Sequence, residues 1–200
     1  MNKEKKNFIW NTIGLSFSAF ISLFLLIVVK RINGINTAGI FTYAFSLCCL
    51  FFIISCFYSR TFQVSDYKRR FTLSDYFTAR IIYVIISLLL ILLFSIINGF
   101  SNYKLMVILL LSIYKSVEAL SDSLFGQIQI EGNLYKTGIS YTLKSILGLA
   151  TFIVIDIITK NLLLSITGLF VVSIIVLILY DLRSIKEDHP RIQITKKNFY

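Results

Sequence analysis

A 200-residue chain that is 56% hydrophobic, with a mean hydropathy of +0.80 and only 15% charged residues, is an all-α polytopic membrane protein. Its apolar residues are gathered into uncharged runs, some longer than twenty residues. Spanning helices need such runs, whereas a closed barrel needs short segments that alternate apolar and polar. One proline in the whole sequence leaves the runs unbroken. Counting them predicts a six-transmembrane-helix bundle over residues 1–180, followed by a polar segment over 181–200.

Lys3, Lys5 and Lys6 precede an uncharged stretch from Asn7 to Val29 that stops at Lys30-Arg31, which predicts a first span over about 8–29. A cleaved signal peptide would have an apolar region of roughly 7–15 residues and a small-residue cleavage site. This run is longer and continues through bulky residues to a charged stop. Asn11, Gly14, Ser18 and Ser22 share one helix face, a stripe read as a close-packing surface in preference to a polar lining. After the turn Asn33-Gly34-Ile35-Asn36 comes a second span, about 37–58, closed by Arg60. Cys48, Cys49 and Cys56 lie inside it, offer neither a disulfide framework nor zinc-ligand spacing, and read as packing residues.

The link from Arg60 to Arg80 contains Lys68-Arg69-Arg70, Asp66 and Asp75. It is expected to face solvent as an amphipathic approach to the third span, with Ser74-Asp75 as the helix cap. That span covers about 79–98 and turns at Asn98-Gly99-Phe100-Ser101-Asn102. The fourth, about 103–126, breaks the apolar pattern. At 100° per residue Lys115, Glu118, Asp122, Gly126 and Gln129 occupy an arc of about 80°. Ionised groups at the centre of a lone membrane helix cost roughly 2.5–3.5 kcal/mol each, so this face must meet protein or a water-filled cavity. Gly132-Asn133 marks the next turn, the fifth span covers about 137–158 with Lys144 and Asp156, and the sixth about 161–180.

The net charge of +10 belongs to loops and tails rather than to a nucleic-acid surface. With both termini in the cytoplasm, sixteen of the twenty basic residues fall on that side. Lys30, Arg31, Lys104 and Lys160 fall outside, the asymmetry expected of the inward-facing side. Trp10, Tyr58, Tyr76, Tyr103, Tyr135 and Tyr180 lie near span ends, where interfacial aromatic residues belong. Entering from outside, the fourth span carries Lys115 about 17 Å and Asp122 about 27 Å into the membrane.

Two readings of the charged stripe stand side by side. In one, Lys115 pairs with Glu118 and Lys144 neutralises Asp122, a structural cluster. In the other, the stripe lines a hydrated passage in which lysines meet an anionic substrate and a carboxylate carries coupling protons. Catalysis is not expected. There is no Asp-x-x-Asp-Gly pattern, no Gly-x-Ser-x-Gly elbow and no intramembrane histidine, and the lone His189 lies in the tail, so no metal or cofactor site is read. A membrane-embedded enzyme of lipid or polysaccharide assembly is therefore the weakest of the alternatives.

Phe8-Ile9-Trp10-Asn11-Thr12, Arg31-Ile32-Asn33-Gly34, Ala38-Gly39-Ile40-Phe41, Ser65-Asp66, Asp75-Tyr76-Phe77-Thr78-Ala79-Arg80 and Ser121-Asp122-Ser123-Leu124-Phe125-Gly126-Gln127 follow one another in an order and spacing that resembles Wzx-type flippases. These polysaccharide-biosynthesis proteins belong to the multidrug/oligosaccharidyl-lipid/polysaccharide exporter superfamily. The resemblance covers nearly the whole chain. It implies translocation of undecaprenyl-pyrophosphate-linked sugar repeat units across the bacterial inner membrane by alternating access, as in O-antigen and lipopolysaccharide assembly. It also implies two six-helix lobes around a cavity, of which this chain would be the amino-terminal one, a fragment in preference to a half-size protein that pairs with a second copy. Lys115, Lys144, Arg80 and Arg31 would then contact pyrophosphate or sugar, and Glu118 and Asp122 would tune them or bind the coupling ion. The implied partners are the lipid-linked oligosaccharide and membrane lipids, with polysaccharide polymerase machinery as a further candidate and no nucleic acid. An ion-coupled multidrug or organic-cation antiporter lobe of the same superfamily is the alternative.

Overall fold

The computed structural model describes residues 2–57, 59–185 and 190. Tyr58, His189 and the remainder of the expected polar tail lie outside the described residues. Among those described there is no strand. The helices are α1 (Lys3–Ile32), α2 (Ile35–Cys56), α3 (Ser59–Ser65), α4 (Leu73–Ile97), α5 (Asn102–Ile130), α6 (Tyr135–Thr159) and α7 (Leu162–Val176). α7 runs on through a wide π turn (Leu177–Asp181) and a short 3-10 turn (Leu182–Ser184).

Five of these segments are long and apolar enough to cross a membrane: α1, α2 continued into α3, α4, α6, and α7 with its extension. α5 has the length, at 29 residues, but carries Lys104, Lys115, Glu118 and Asp122. Its neighbours resolve the conflict. α5 packs against α2, α3, α4 and α7, so apolar helices stand between much of its surface and lipid. Large side chains such as Leu50, Ile53, Leu89, Leu93, Val171 and Ile175 are exposed on those neighbours, as a hydrocarbon-facing surface requires.

Two helices extend well beyond their expected limits. α1 starts at Lys3 and α5 continues to Ile130, because Lys, Glu and Gln are good helix formers and a spanning helix loses nothing by continuing into water. The link after α2 is corrected more substantially. Phe57 closes α2 in the left-handed region (φ 36°), and α3 then continues along α5. Gln63 of α3 is buried over Gly126, a close approach that a Cβ at 126 would block. The cap of α4 is Thr72, not Ser74: the Thr72 N–H donates to Asp75 at 2.9 Å while the Thr72 hydroxyl accepts the Asp75 N–H at 3.3 Å. The segment 73–80, expected to face solvent, is thus the first two turns of α4, with Arg80 wholly buried. Tyr76, expected at the interface, is also buried and donates to Asp66 at 3.1 Å.

The small-residue face of α1 does pack. A Cβ on Gly14 would overlap the carbonyl of Gly138, and one on Gly138 would overlap the carbonyl of Trp10, so α1 and α6 meet backbone to backbone. Asn7 ties their ends together, donating to the Gly132 carbonyl and accepting from the Tyr135 N–H, both at 3.0 Å. The α1–α2, α4–α5 and α6–α7 turns gather at one end of the bundle. There Asn33 donates to both Asp156 oxygens at 2.7 and 2.8 Å, and the Ser165 hydroxyl adds a bond at 3.0 Å. The start of α1, the α3–α4 link, the α5–α6 turn and the end of α7 share the other end.

Candidate functional site

α5 and α6 touch at few points, and the polar residues of the molecule collect between them and on the adjoining face of α2. The first station is Lys115, whose Nζ donates to Glu118 Oε2 at 2.7 Å on the same helix. Three rings surround that ammonium, Phe45 at 4.9 Å, Tyr114 at 5.4 Å and Phe52 at 5.5 Å from their centroids. Aromatic faces are partial anions, so they partly replace the water that Lys115 gives up.

Two turns further along, Asp122 receives two arginines. Arg80 donates to Oδ2 at 2.9 Å and to the Ser55 carbonyl at 3.2 Å. Arg60, at the start of α3, donates to Oδ1 at 3.1 Å and to Gln129 at 3.0 Å. α2, α3, α4 and α5 are held at one carboxylate. Lys144 of α6 forms the third station, but not with Asp122 as expected. Its Nζ reaches Asp181 Oδ2 at 2.6 Å and the Ser121 hydroxyl, and Ser140 donates to the other Asp181 oxygen. The expected partner was wrong because Asp122 points to the α2–α4 side of α5, already satisfied by guanidinium groups, whereas the π turn brings Asp181 onto α6.

Exposure separates these groups. The Lys115, Glu118, Arg60 and Asp122 side chains keep 14, 22, 25 and 17% of their surface accessible. Arg80, Lys144 and Asp181 keep 0, 7 and 0%. Of the first set Arg60 and Asp122 line an open cavity of about 340 Å³, bounded also by Phe52, Cys56 and Tyr141. The second is locked in the frame. Between Lys144 and Glu118 a pocket of about 10 Å³, which Ser18, Tyr114, Ser121 and Ser145 also line, has room for about one water. Arg31 is exposed in the last turn of α1, at the end where Asn33 meets Asp156, and the structure does not bring it to the other candidates.

The chain matches no family model, no curated protein and no solved structure. Its chemistry therefore rests on geometry. Among the described residues no cluster of three His, Cys, Asp or Glu side chains suits a metal ion. The two accessible ion pairs stand about 10 Å apart along α5 at 1.5 Å per residue. A charged ligand could be exchanged between them without leaving a neutralised environment. Arg60 and Asp181 belong to these stations and were not expected there. Each lies next to the end of an apolar run, where a charge ordinarily marks the water boundary.

Proposed function

We propose that this chain is the amino-terminal lobe of a flippase that moves undecaprenyl-pyrophosphate-linked oligosaccharide across the bacterial inner membrane, with both termini cytoplasmic. The observation that carries the reading is the two accessible, carboxylate-balanced cations ranged along α5, Lys115 with Glu118 and Arg60 of α3 with Asp122, the second pair lining an open cavity of about 340 Å³. A pyrophosphate entering such a site competes with a carboxylate for a lysine or arginine, and the released carboxylate then takes up a proton or meets water in the cavity. Lys115 and Arg60 are the contacts this geometry favours. Arg80 and Lys144 hold the lobe together in this reading, and Arg31 stands apart from the site.

In cells making surface polysaccharide through the polypeptide that carries this sequence, Lys115→Ala is expected to abolish the polymer and Lys115→Arg to retain part of it at equal membrane level. Normal polymer from Lys115→Ala would sink the reading. The rings around Lys115 also suit an organic cation with Glu118 as its counter-charge, which favours the antiporter as the second reading. Glu118→Gln would then be the damaging change and Lys115→Ala the tolerated one. Reconstituted vesicles separate both from an enzyme, since a transporter leaves the lipid-linked sugar chemically intact.

A further inference from the structure

Asp122 serves two arginines that differ in freedom. Arg80 is wholly buried on α4, where Nη2 donates to Oδ2 at 2.9 Å and Nη1 to the Ser55 carbonyl at 3.2 Å. Arg60 keeps 25% of its side chain accessible and lines the cavity of about 340 Å³. Its Nη1 donates to Oδ1 at 3.1 Å, and its Nη2 to the exposed Gln129 at 3.0 Å.

The three stations therefore differ in net charge. Lys115 with Glu118 and Lys144 with Asp181 are each neutral, whereas two guanidinium groups share the single carboxylate of Asp122. The consequence appears when a ligand takes the accessible cation. Among the described residues Glu118 forms an ion pair with Lys115 alone, so losing Lys115 leaves it to find a proton or water. Asp122 loses less: if Arg60 turns away, Arg80 still holds it. The planar guanidinium fork of Arg60 then matches two oxygens of a phosphate group.

We propose that Arg60 is an exchangeable arginine, which turns from Asp122 to a pyrophosphate in the cavity while Arg80 acts as the positioning residue that keeps Asp122 paired. The proposal deepens the flippase reading and rests on it for the identity of the anion.

The test is protection of Arg60 from phenylglyoxal, read by mass spectrometry on the whole chain in mild micelles. The reagent modifies accessible arginines, so Arg80 should stay unlabelled, and the exposed Arg31 and Arg70 are internal controls. Millimolar inorganic pyrophosphate is expected to slow labelling of Arg60 by on the order of fivefold or more relative to sodium chloride of equal ionic strength, with both controls unchanged. Gln129→Glu, a change at an exposed position, gives Arg60 a second carboxylate and should remove the protection. Arg80→Gln leaves Asp122 dependent on Arg60 and should remove it too, and Arg80→Gln/Asp122→Asn should restore it by freeing Arg60. A purely structural Arg80 would show no such rescue.

Protection that survives in Gln129→Glu would overturn the proposal, whether or not the Arg80 variants fold. So would equal protection at Arg31 and Arg70, no protection beyond that given by chloride, or a folded double variant that stays unprotected. Protection by phosphatidylglycerol but not by pyrophosphate would assign the seat to a membrane lipid and overturn it as well. Binding is read here without transport. A protected Arg60 with normal polymer from Lys115→Ala sinks only the flippase reading, and an unprotected Arg60 with polymer lost sinks only this proposal.

Discussion

Lys144 and Asp181 are the most fully enclosed oppositely charged pair bridging α6 and the end of α7. Each removes the other's desolvation penalty, and the Ser121 and Ser140 hydroxyls satisfy what remains of their hydrogen-bonding capacity. Removing one partner strands the other, which costs about 3–5 kcal/mol, whereas replacing both with apolar side chains of similar volume costs far less. Lys144→Met and Asp181→Leu are each expected to lose about that much stability, and Lys144→Met/Asp181→Leu to recover most of it. Reversible denaturation in mild micelles measures the cycle; simple additivity would contradict the pairing. Lys115 with Glu118 was readable beforehand because three residues separate them along a helix. The partners of Asp122 were not, because Arg60 and Arg80 lie 62 and 42 residues away, and no local period encodes such distances.

Helices α1 and α6 form the closest interface in the bundle, and its closeness rests on glycine. Gly138→Ala pushes a methyl group into the Trp10 carbonyl, with no flexible side chain to yield, and is expected to cost about 1–3 kcal/mol. Gly39, inside α2, has open space around it, so Gly39→Ala is expected to stabilise by about 0.5–1 kcal/mol through helix propensity alone. Thermal unfolding of the two variants checks both signs, and the Trp10 emission should shift only in the first. The stripe of small residues on α1 pointed to a packing face before any coordinates. It could not name α6, since a single helix displays what it will bury but not against what. The same limit applied to α3: Gln63 in a charged link reads as a solvent residue until Gly126 opens a seat for it.

Six crossings were countable from the apolar runs, and the turns do alternate between the two ends of the bundle. What the runs could not express is that α5 stands inside while apolar helices cover it, because composition records what each helix is made of and not which one its neighbours surround. The orientation proposed from the basic residues has a direct test. With Cys48, Cys49 and Cys56 replaced by alanine, a cysteine at Gly99 should react with an impermeant maleimide on intact cells, and one at Lys5 only after permeabilisation. The opposite pattern would invert the bundle and leave its interior contacts as they are.

The π turn at Leu177–Asp181 fits one residue more into its circuit than an α-helix would. Everything after it is rotated by about 100° relative to an uninterrupted helix. Without that rotation Asp181 would stand about 100° around the helix from its present place; with it, the carboxylate meets Lys144. In an alignment, a relative with a regular helix here would therefore show a one-residue gap between 177 and 181, and an acid one column out of register with this one. A deletion of that kind changes the phase of the segment and nothing else in its composition, which is how a single codon could decide whether the last helix is bolted to the lobe.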